Sequence, residues 1–270
     1  MIDKDTILCM SIAGSPGNFG AKFHNYFYEQ FGLNYVYLPR KVLHSELEEV
    51  ISAIRVMKVR GCGVSMPYKE EIIKYLDEMD QSAVDTGAVN TIVNDDSKLK
   101  GYNTDYYGAE VALHDKNISG KKILLFGAGG VAMAISSAVQ KLGGYLSIFN
   151  RTHSNAYKLA AKTGAEPVLL EDLVHQQGYM LINATPVGMD SAESPFSEDL
   201  INKFDYVYDV VVSPPKTRLL CCAEQLGKRI IPGALMCIHQ AAKQFELYTG
   251  IEIPAQMISN KLKEMYPYDL

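Results

Sequence analysis

The chain has 270 residues, 47% of them hydrophobic and 21% charged, with a formal net charge of −5 and a pI of about 5.7. These are globular values for one large or two modest domains, and without a basic field to displace counterions nucleic acid is set aside as a partner. Five cysteines, Cys9, Cys62, Cys221, Cys222 and Cys237, form an odd set with no C-x-x-C spacing and no clustered histidines, so a disulfide framework and a zinc site are set aside and no metal is expected.

Residues 7–12 form an apolar run too short for a secretory core or a membrane span, so the expected location is the cytoplasm, away from the membrane. The same run, from residue 6, reads as a first strand. A loop dense in turn formers follows at 13–20, then a helix over 21–31 with Phe23, Tyr26, Phe27 and Gln30 at helical spacing. A strand at 34–38, a helix at 44–57 with Leu47, Val50, Ile51 and Ile54 on one face, and a strand at 59–66 continue the alternation, which predicts an α/β fold with a parallel sheet. Pro67 suits the first turn of a further helix. That would set Lys69 beside a helix N-terminus, where the dipole disfavours an ammonium and its proton is held less tightly. So placed, Lys69 is a candidate acid/base group; without context it reads as a surface lysine balanced by Glu70 and Glu71. Short strands follow at 91–94 and 98–102. Asp105 then opens a helix reaching about residue 114, where capping is an ordinary role for Asp.

Residues 123–126 are wholly apolar, as expected of a strand buried on both faces, and Gly127-Ala128-Gly129-Gly130-Val131-Ala132 follows. Residues 133–142 read as a helix with Ile135, Val139 and Leu142 on one face, and 145–149 as the next strand. Strand, G-x-G-x-x-A turn and helix make the dinucleotide-binding arrangement. Gly127 permits the tight turn, Gly129 lets the backbone approach a pyrophosphate, Ala132 allows close packing, and the free N–H groups of the helix start face the phosphates. At the end of the next strand an NAD site places a carboxylate. Asn150-Arg151-Thr152 stands there instead, with a planar cation for a 2′-phosphate and two flanking hydrogen-bond groups, so NADP is expected over NAD. The plainer reading of Arg151 is a solvated charge after a strand.

Further on, 155–163 is helical and 179–183 is a strand ending in Asn183-Ala184-Thr185-Pro186-Val187-Gly188-Met189. Another strand, 206–211, is stopped by Pro214 and Pro215, and Ile230-Ile231-Pro232-Gly233 makes a last short strand and turn. Helices at 234–249 and 254–265 have no strand after them and are expected to pack back on the first domain. The predicted organisation is an α/β substrate-binding domain with a parallel-dominated sheet at 1–103, completed by 234–270, and a Rossmann-type NADP domain at 104–233, with a cleft between them.

Taken together these motifs resemble the shikimate dehydrogenase family over essentially the whole chain. The matching pieces are Phe23-His24-Asn25, Val64 through Lys69, Gly87 through Thr91, Asn103-Thr104-Asp105, Gly127 through Gly130, Asn150-Arg151-Thr152, Asn183 through Met189, and Gly233 through Met236 to Gln240. The resemblance implies a two-domain enzyme that reversibly reduces 3-dehydroshikimate to shikimate with NADPH, in the route to aromatic amino acids. By position it implies that Lys69 and Asp105 are the catalytic pair and that Ser65, Asn90 and Gln240 hold substrate hydroxyls. Thr185, Gly188, Met189 and Gly233 would lie on the nicotinamide side. Its partner is then a small ring acid; monomer and homodimer both stay open.

The chain departs from the family at one end of the substrate. Two serines in the family's first loop, in a pattern like H-S-x-S-P, grip a carboxylate; Gly17-Asn18-Phe19-Gly20-Ala21 stands there, leaving Asn18 as a donor and Gly20 with backbone only. The family's Asn before Val-Thr is Gly63, its Thr is Ser65, its Tyr after the late strand is Val212, and a second Arg common after Asn-Arg-Thr is Asn155. The pattern resembles a divergent branch of the family, so a different ring acid such as quinate, or a weakly catalytic cofactor-binding relative, stands as the alternative.

Overall fold

The computed structural model describes residues 2–189 and 191–268. The chain divides into two compact units, one running to Thr104 and taking up Ala241–Ile253, the other comprising Asp105–Gln240 and the chain from Pro254. No helix among the described residues is long and apolar enough to cross a membrane.

The first unit contains β1 (Ile7–Ala13), α1 (Phe19–Gln30), β2 (Tyr35–Lys41), α2 (Leu47–Val56), β3 (Gly61–Val64), β4 (Glu78–Met79), α3 (Gln81–Thr86), β5 (Thr91–Asp95) and β6 (Lys98–Tyr102). Its six-stranded sheet has the order β2-β1-β3-β5-β6-β4. β1 runs parallel to β2 and β3, but β5 is antiparallel to both β3 and β6. The pairing with β6 has a local cause: β5 and β6 are joined by Asp96 and Ser97, with φ of 46° and 71°, and a two-residue connection of that kind makes a hairpin. A core of Ile12, Leu47, Ile51, Ile54, Cys62, Val64 and Ile92 fills the face under α2.

In the second unit α4 (Thr104–His114) leads to β7 (Lys122–Phe126), α5 (Gly130–Lys141), β8 (Tyr145–Phe149), α6 (His153–Thr163), β9 (Glu166–Pro167), β10 (Gly178–Asn183), α7 (Glu198–Ile201), β11 (Phe204–Asp209), α8 (Arg218–Gln225) and β12 (Arg229–Pro232). The order β12-β11-β10-β7-β8-β9, parallel at every pairing, is the doubly wound arrangement. β7 shows why its sequence is apolar throughout: Ile123 and Leu125 enter one core, Leu124 and Phe126 the other.

The C-terminal segment divides, contrary to the expectation that all of it completes the first unit. α9 (Gly233–Thr249) belongs to the second unit as far as Gln240 and to the first from Ala241. α10 (Ala255–Met265) stays with the second, because Leu262, Met265 and the buried Tyr266 pack into the core of Phe204, Leu219 and Leu220. Amphipathic spacing marks an apolar stripe; it does not say which sheet covers it.

Candidate active site

At the carboxyl edge of the first sheet the chain leaves β3 at Ser65, whose N–H donates to Ile12 O at 2.9 Å. The Met66 carbonyl accepts from Gly14 N–H at 3.1 Å and the Lys69 carbonyl from Val89 N–H at 2.7 Å. With those acceptors engaged across the fold no continuous i+4 ladder forms, and the bond from Ile72 N–H to Tyr68 O at 3.0 Å stands among i+3 bonds. Residues 66–70 are a turn, and only a 3-10 helix over Glu71–Tyr75 follows. The helix expected from Pro67 is therefore absent, and with it the dipole expected to act on Lys69. Ser65 is exposed and Lys69 half-buried.

Asn90, 3% exposed, sits just before β5. Its Oδ1 accepts from Thr104 N–H at 2.7 Å, Thr104 Oγ1 at 3.1 Å and Thr91 Oγ1 at 2.8 Å. A backbone N–H can only donate, so the amide's orientation is fixed. Among the described residues its Nδ2 donates to no protein acceptor. Behind it Gln244 Nε2 donates to Thr91 Oγ1 at 2.9 Å, while Gln244 Oε1 faces His24 Nε2 at 3.4 Å. Asn18, exposed at the head of α1, makes no side-chain cap bond.

Two glycines of this region enclose one hydroxyl. A Cβ at Gly63 would lie 2.7 Å from Tyr37 Oη, and one at Gly20 3.2 Å from the same atom. Tyr37 is held by His24, stacked on its ring at 4.5 Å between centroids, and by Asn25, whose Oδ1 accepts from Tyr37 N–H at 2.8 Å and whose Nδ2 donates to Tyr37 O at 3.0 Å. The His24-Asn25 pair thus fixes a tyrosine that fills the room side chains at 20 and 63 would need.

The second unit holds the glycine turn. Gly127 has φ of 118°, and a Cβ there would lie 2.8 Å from Ala184 O, so both conformation and packing demand glycine. Gly129 differs. Its φ of −91° suits any residue and an added Cβ would meet no protein atom within 4 Å, so the space before α5 is open. The first N–H groups of α5, from Gly130 and Val131, have no partner within a helix and face that space, which fits a diphosphate. Ala128 and Val131 are half-buried, and Ala132 is fully buried against the sheet. After β8, Asn150 Nδ2 donates to Thr152 O at 3.0 Å, leaving Arg151 and Thr152 exposed before α6. Among the described residues Arg151 has no ion-pair partner.

The turn after β10 is built on Asn183, whose Oδ1 accepts from Thr185 N–H at 3.1 Å and from Thr185 Oγ1 at 2.7 Å. Gly188 in that turn has φ of 96°, and Met189 is exposed. Gly233, the first residue of α9, packs so closely on the Val210 carbonyl that a Cβ would overlap it. α4 and α9 cross at Gly108, where a Cβ would lie 2.5 Å from Met236 O and 3.1 Å from Gln240 Cβ. One turn earlier is Asp105, 9% exposed; as the second residue of α4 it is not the cap. The Cys237 thiol is pushed up to about 12, by burial first and then by the Asp105 charge, with a hydrogen bond to Gln240 opposing. Asp105, Cys237 and the half-buried Gln240 therefore share one neighbourhood.

A protein from Haemophilus influenzae described as shikimate dehydrogenase-like is 40% identical over 256 residues, covering 92% of this chain and 93% of its own. The chain belongs to the shikimate dehydrogenase family. The family's substrate-binding-domain model matches residues 18–92. The NADP(+)-dependent shikimate dehydrogenase of Halothermothrix orenii is 40% identical over 248 residues, covering 85% of this chain and 86% of its own. A crystal structure of shikimate 5-dehydrogenase from Listeria monocytogenes in complex with shikimate and NAD superposes with a TM-score of 0.86 at 38% identity, covering 97% of this chain and 98% of that one.

Sequence reading passed over Tyr37, Gln244 and Asp209. Tyr37 and Gln244 look like ordinary residues of a strand and a helix, and only their neighbours distinguish them. Asp209 left a signal: a single carboxylate closing the otherwise apolar end of Tyr206–Asp209.

Proposed function

We propose that this protein catalyses the reversible, NADP-dependent reduction of 3-dehydroshikimate to shikimate, the first unit holding the ring acid and the second the coenzyme. Family membership supports the reaction, and the single structural observation that carries the site is Asn90. Three donors lock its carbonyl oxygen, so Nδ2 is presented as a fixed donor to a ring hydroxyl. Ser65 and Gln240 take other hydroxyls, and Asn18 the carboxylate end. When bound, the reduced nicotinamide supplies hydride to the ring carbonyl carbon. The Lys69 ammonium gives its proton to the oxygen that becomes the alkoxide and stabilises the charge developing there; in the oxidative direction neutral Lys69 takes the proton back. Asp105 orients Lys69 and accepts from a neighbouring hydroxyl.

Gly127, Ala128, Gly129, Gly130 and Val131 take the diphosphate, and Asn150, Arg151 and Thr152 the 2′-phosphate. Thr185, Gly188, Met189 and Gly233 line the nicotinamide side. The Listeria structure holds NAD, so the preference for NADP rests on this chain's own Arg151, an exposed guanidinium with no carboxylate partner among the described residues. Free cysteines, of which Cys9, Cys62 and Cys222 are buried, support a reducing cytoplasm.

Tyr37 favours a second reading of the substrate. Its hydroxyl fills the room at Gly20 and Gly63, so the carboxylate end of the pocket differs in shape, and quinate or a related hydroxylated ring acid becomes a competitor. Absorbance of reduced nicotinamide, with shikimate and quinate each offered with NADP and NAD, decides between them. Coenzyme binding without turnover of any ring acid would replace both readings with a regulatory one.

A further inference from the structure

The turn after β10 and the glycine turn after β7 touch, since Gly127 packs on the Ala184 carbonyl. What holds the first of these in place is a buried carboxylate. Asp209, fully buried at the end of β11, accepts from Thr217 Oγ1 on Oδ2 at 2.6 Å, and from Asn183 Nδ2 at 2.9 Å and Val211 N–H at 3.2 Å on Oδ1. Asn183 passes the constraint on: Nδ2 also donates to Val187 O at 3.1 Å, and Oδ1 receives both donors of Thr185. Val211 lies in the segment on which Gly233 packs. Thr217 is itself the cap of α8, its Oγ1 accepting from Leu220 N–H at 3.3 Å. Asn183 and Thr217 are, like Asp209, without exposed surface.

Among the described residues no cation reaches this carboxylate. Lys216, beside Thr217 in sequence, pairs with Glu224 at 2.6 Å, and the titratable neighbour on the strand is Tyr208. A buried charge held only by neutral donors weakens the fold rather than supporting it. Its donors nonetheless come from the turn that carries Thr185 and from the segment on which Gly233 packs. We propose that Asp209 is a positioning residue for the nicotinamide end of the coenzyme: its charge, through Asn183 and the Val211 N–H, fixes the turn that carries Thr185 and the segment that supports Gly233, the groups that line that ring. The inference rests on the coenzyme assignment above.

Equilibrium binding of NADPH and of adenosine 2′,5′-bisphosphate, which lacks the nicotinamide half, tests it on the intact protein. Asp209→Asn should raise the NADPH Kd about tenfold while leaving the bisphosphate Kd within about twofold. A variant that simply unfolds would weaken both ligands. Thr217→Val should then show the same split more mildly, with Thr217→Ser, which keeps the hydroxyl, restoring affinity. Unchanged NADPH affinity in Asp209→Asn and Thr217→Val, or equal losses for both ligands in the folded variants, overturns the positioning role. Wild-type protein that binds the bisphosphate but not NADPH overturns it as well, and wild-type protein that binds neither overturns the coenzyme assignment itself.

Discussion

The two units bury polar groups in opposite ways. In the first, His24, Gln244, Thr91 and Asn90 form a neutral chain, and burial pushes the His24 imidazole down to about 3. In the second, Asp209 keeps a carboxylate among neutral donors, and burial pushes it up to about 6. The pH signs differ accordingly. Between pH 6.5 and about 3 the unfolded chain takes a proton at residue 24 that the folded chain refuses, so this stability is complete above pH 6.5 and lost on acidification. Between about 6 and 3.8 the folded chain holds a proton at Asp209 that the unfolded chain has released, so acidification through that window stabilises; at neutral pH the ionised group costs about 3 kcal/mol. Under the proposed function, a neutral network suits a region that presents fixed donors to ring hydroxyls. A buried charge suits one in which several donors must be drawn to a single point.

The division of labour breaks first at Lys69. Lys69→Ala should lower kcat by about 10²- to 10⁴-fold while NADPH binding persists. Near-normal turnover would remove Lys69 from the chemistry, and lost coenzyme affinity would dissolve the separation of roles. On the coenzyme side, Arg151→Ala should cost about 1–3 kcal/mol, read as a rise in KM for NADP with KM for NAD unmoved. An equal rise for both would leave Arg151 a solvated charge.

The opposite pH signs are sharpened by denaturant titrations at pH 5 and pH 8. The stability of wild type relative to Asp209→Asn should be greater at pH 5 than at pH 8 by about 1.4 kcal/mol, and relative to His24→Gln the order should invert. Parallel profiles would deny the contrast. The smallest effect is at Tyr37. Gly63→Ala should destabilise by about 1–3 kcal/mol, and about 1 kcal/mol of this should vanish in a Tyr37→Phe background, because the clash is with the hydroxyl.

The units also differ in how much of them could be read from the chain. In the second, β7 is an apolar run buried on both faces, and the glycine turn lies between that strand and the helix that follows it, so the turn at Gly127 and Gly129 was legible. Helix α8 was not. Pro214 and Pro215 precede it and Gly227 follows, and those breakers concealed Leu219, Leu220, Cys222 and Ala223 as an apolar face, and Thr217 as its cap. The hub at Asp209 was hidden for a related reason: its side-chain partners stand 26 and 8 residues away. In the first unit the antiparallel pairing of β5 with β6 was implicit in the short connection between them. The turn at Lys69 was not legible, since its carbonyl partners, Gly14 and Val89, belong to other parts of the chain.

By itself the sequence determined the alternation of strands and helices, the glycine turn and the chemical types that mark the family, because each depends on periodicity or on residues a few positions apart. Only the tertiary structure decided that Lys69 stands on a turn instead of a helix, that Asn90 offers its nitrogen, that Tyr37 stands in the room at two glycines, and that α10 covers the second sheet. Those outcomes depend on which donor meets which acceptor across the fold, and local spacing holds no record of partners that only folding brings together.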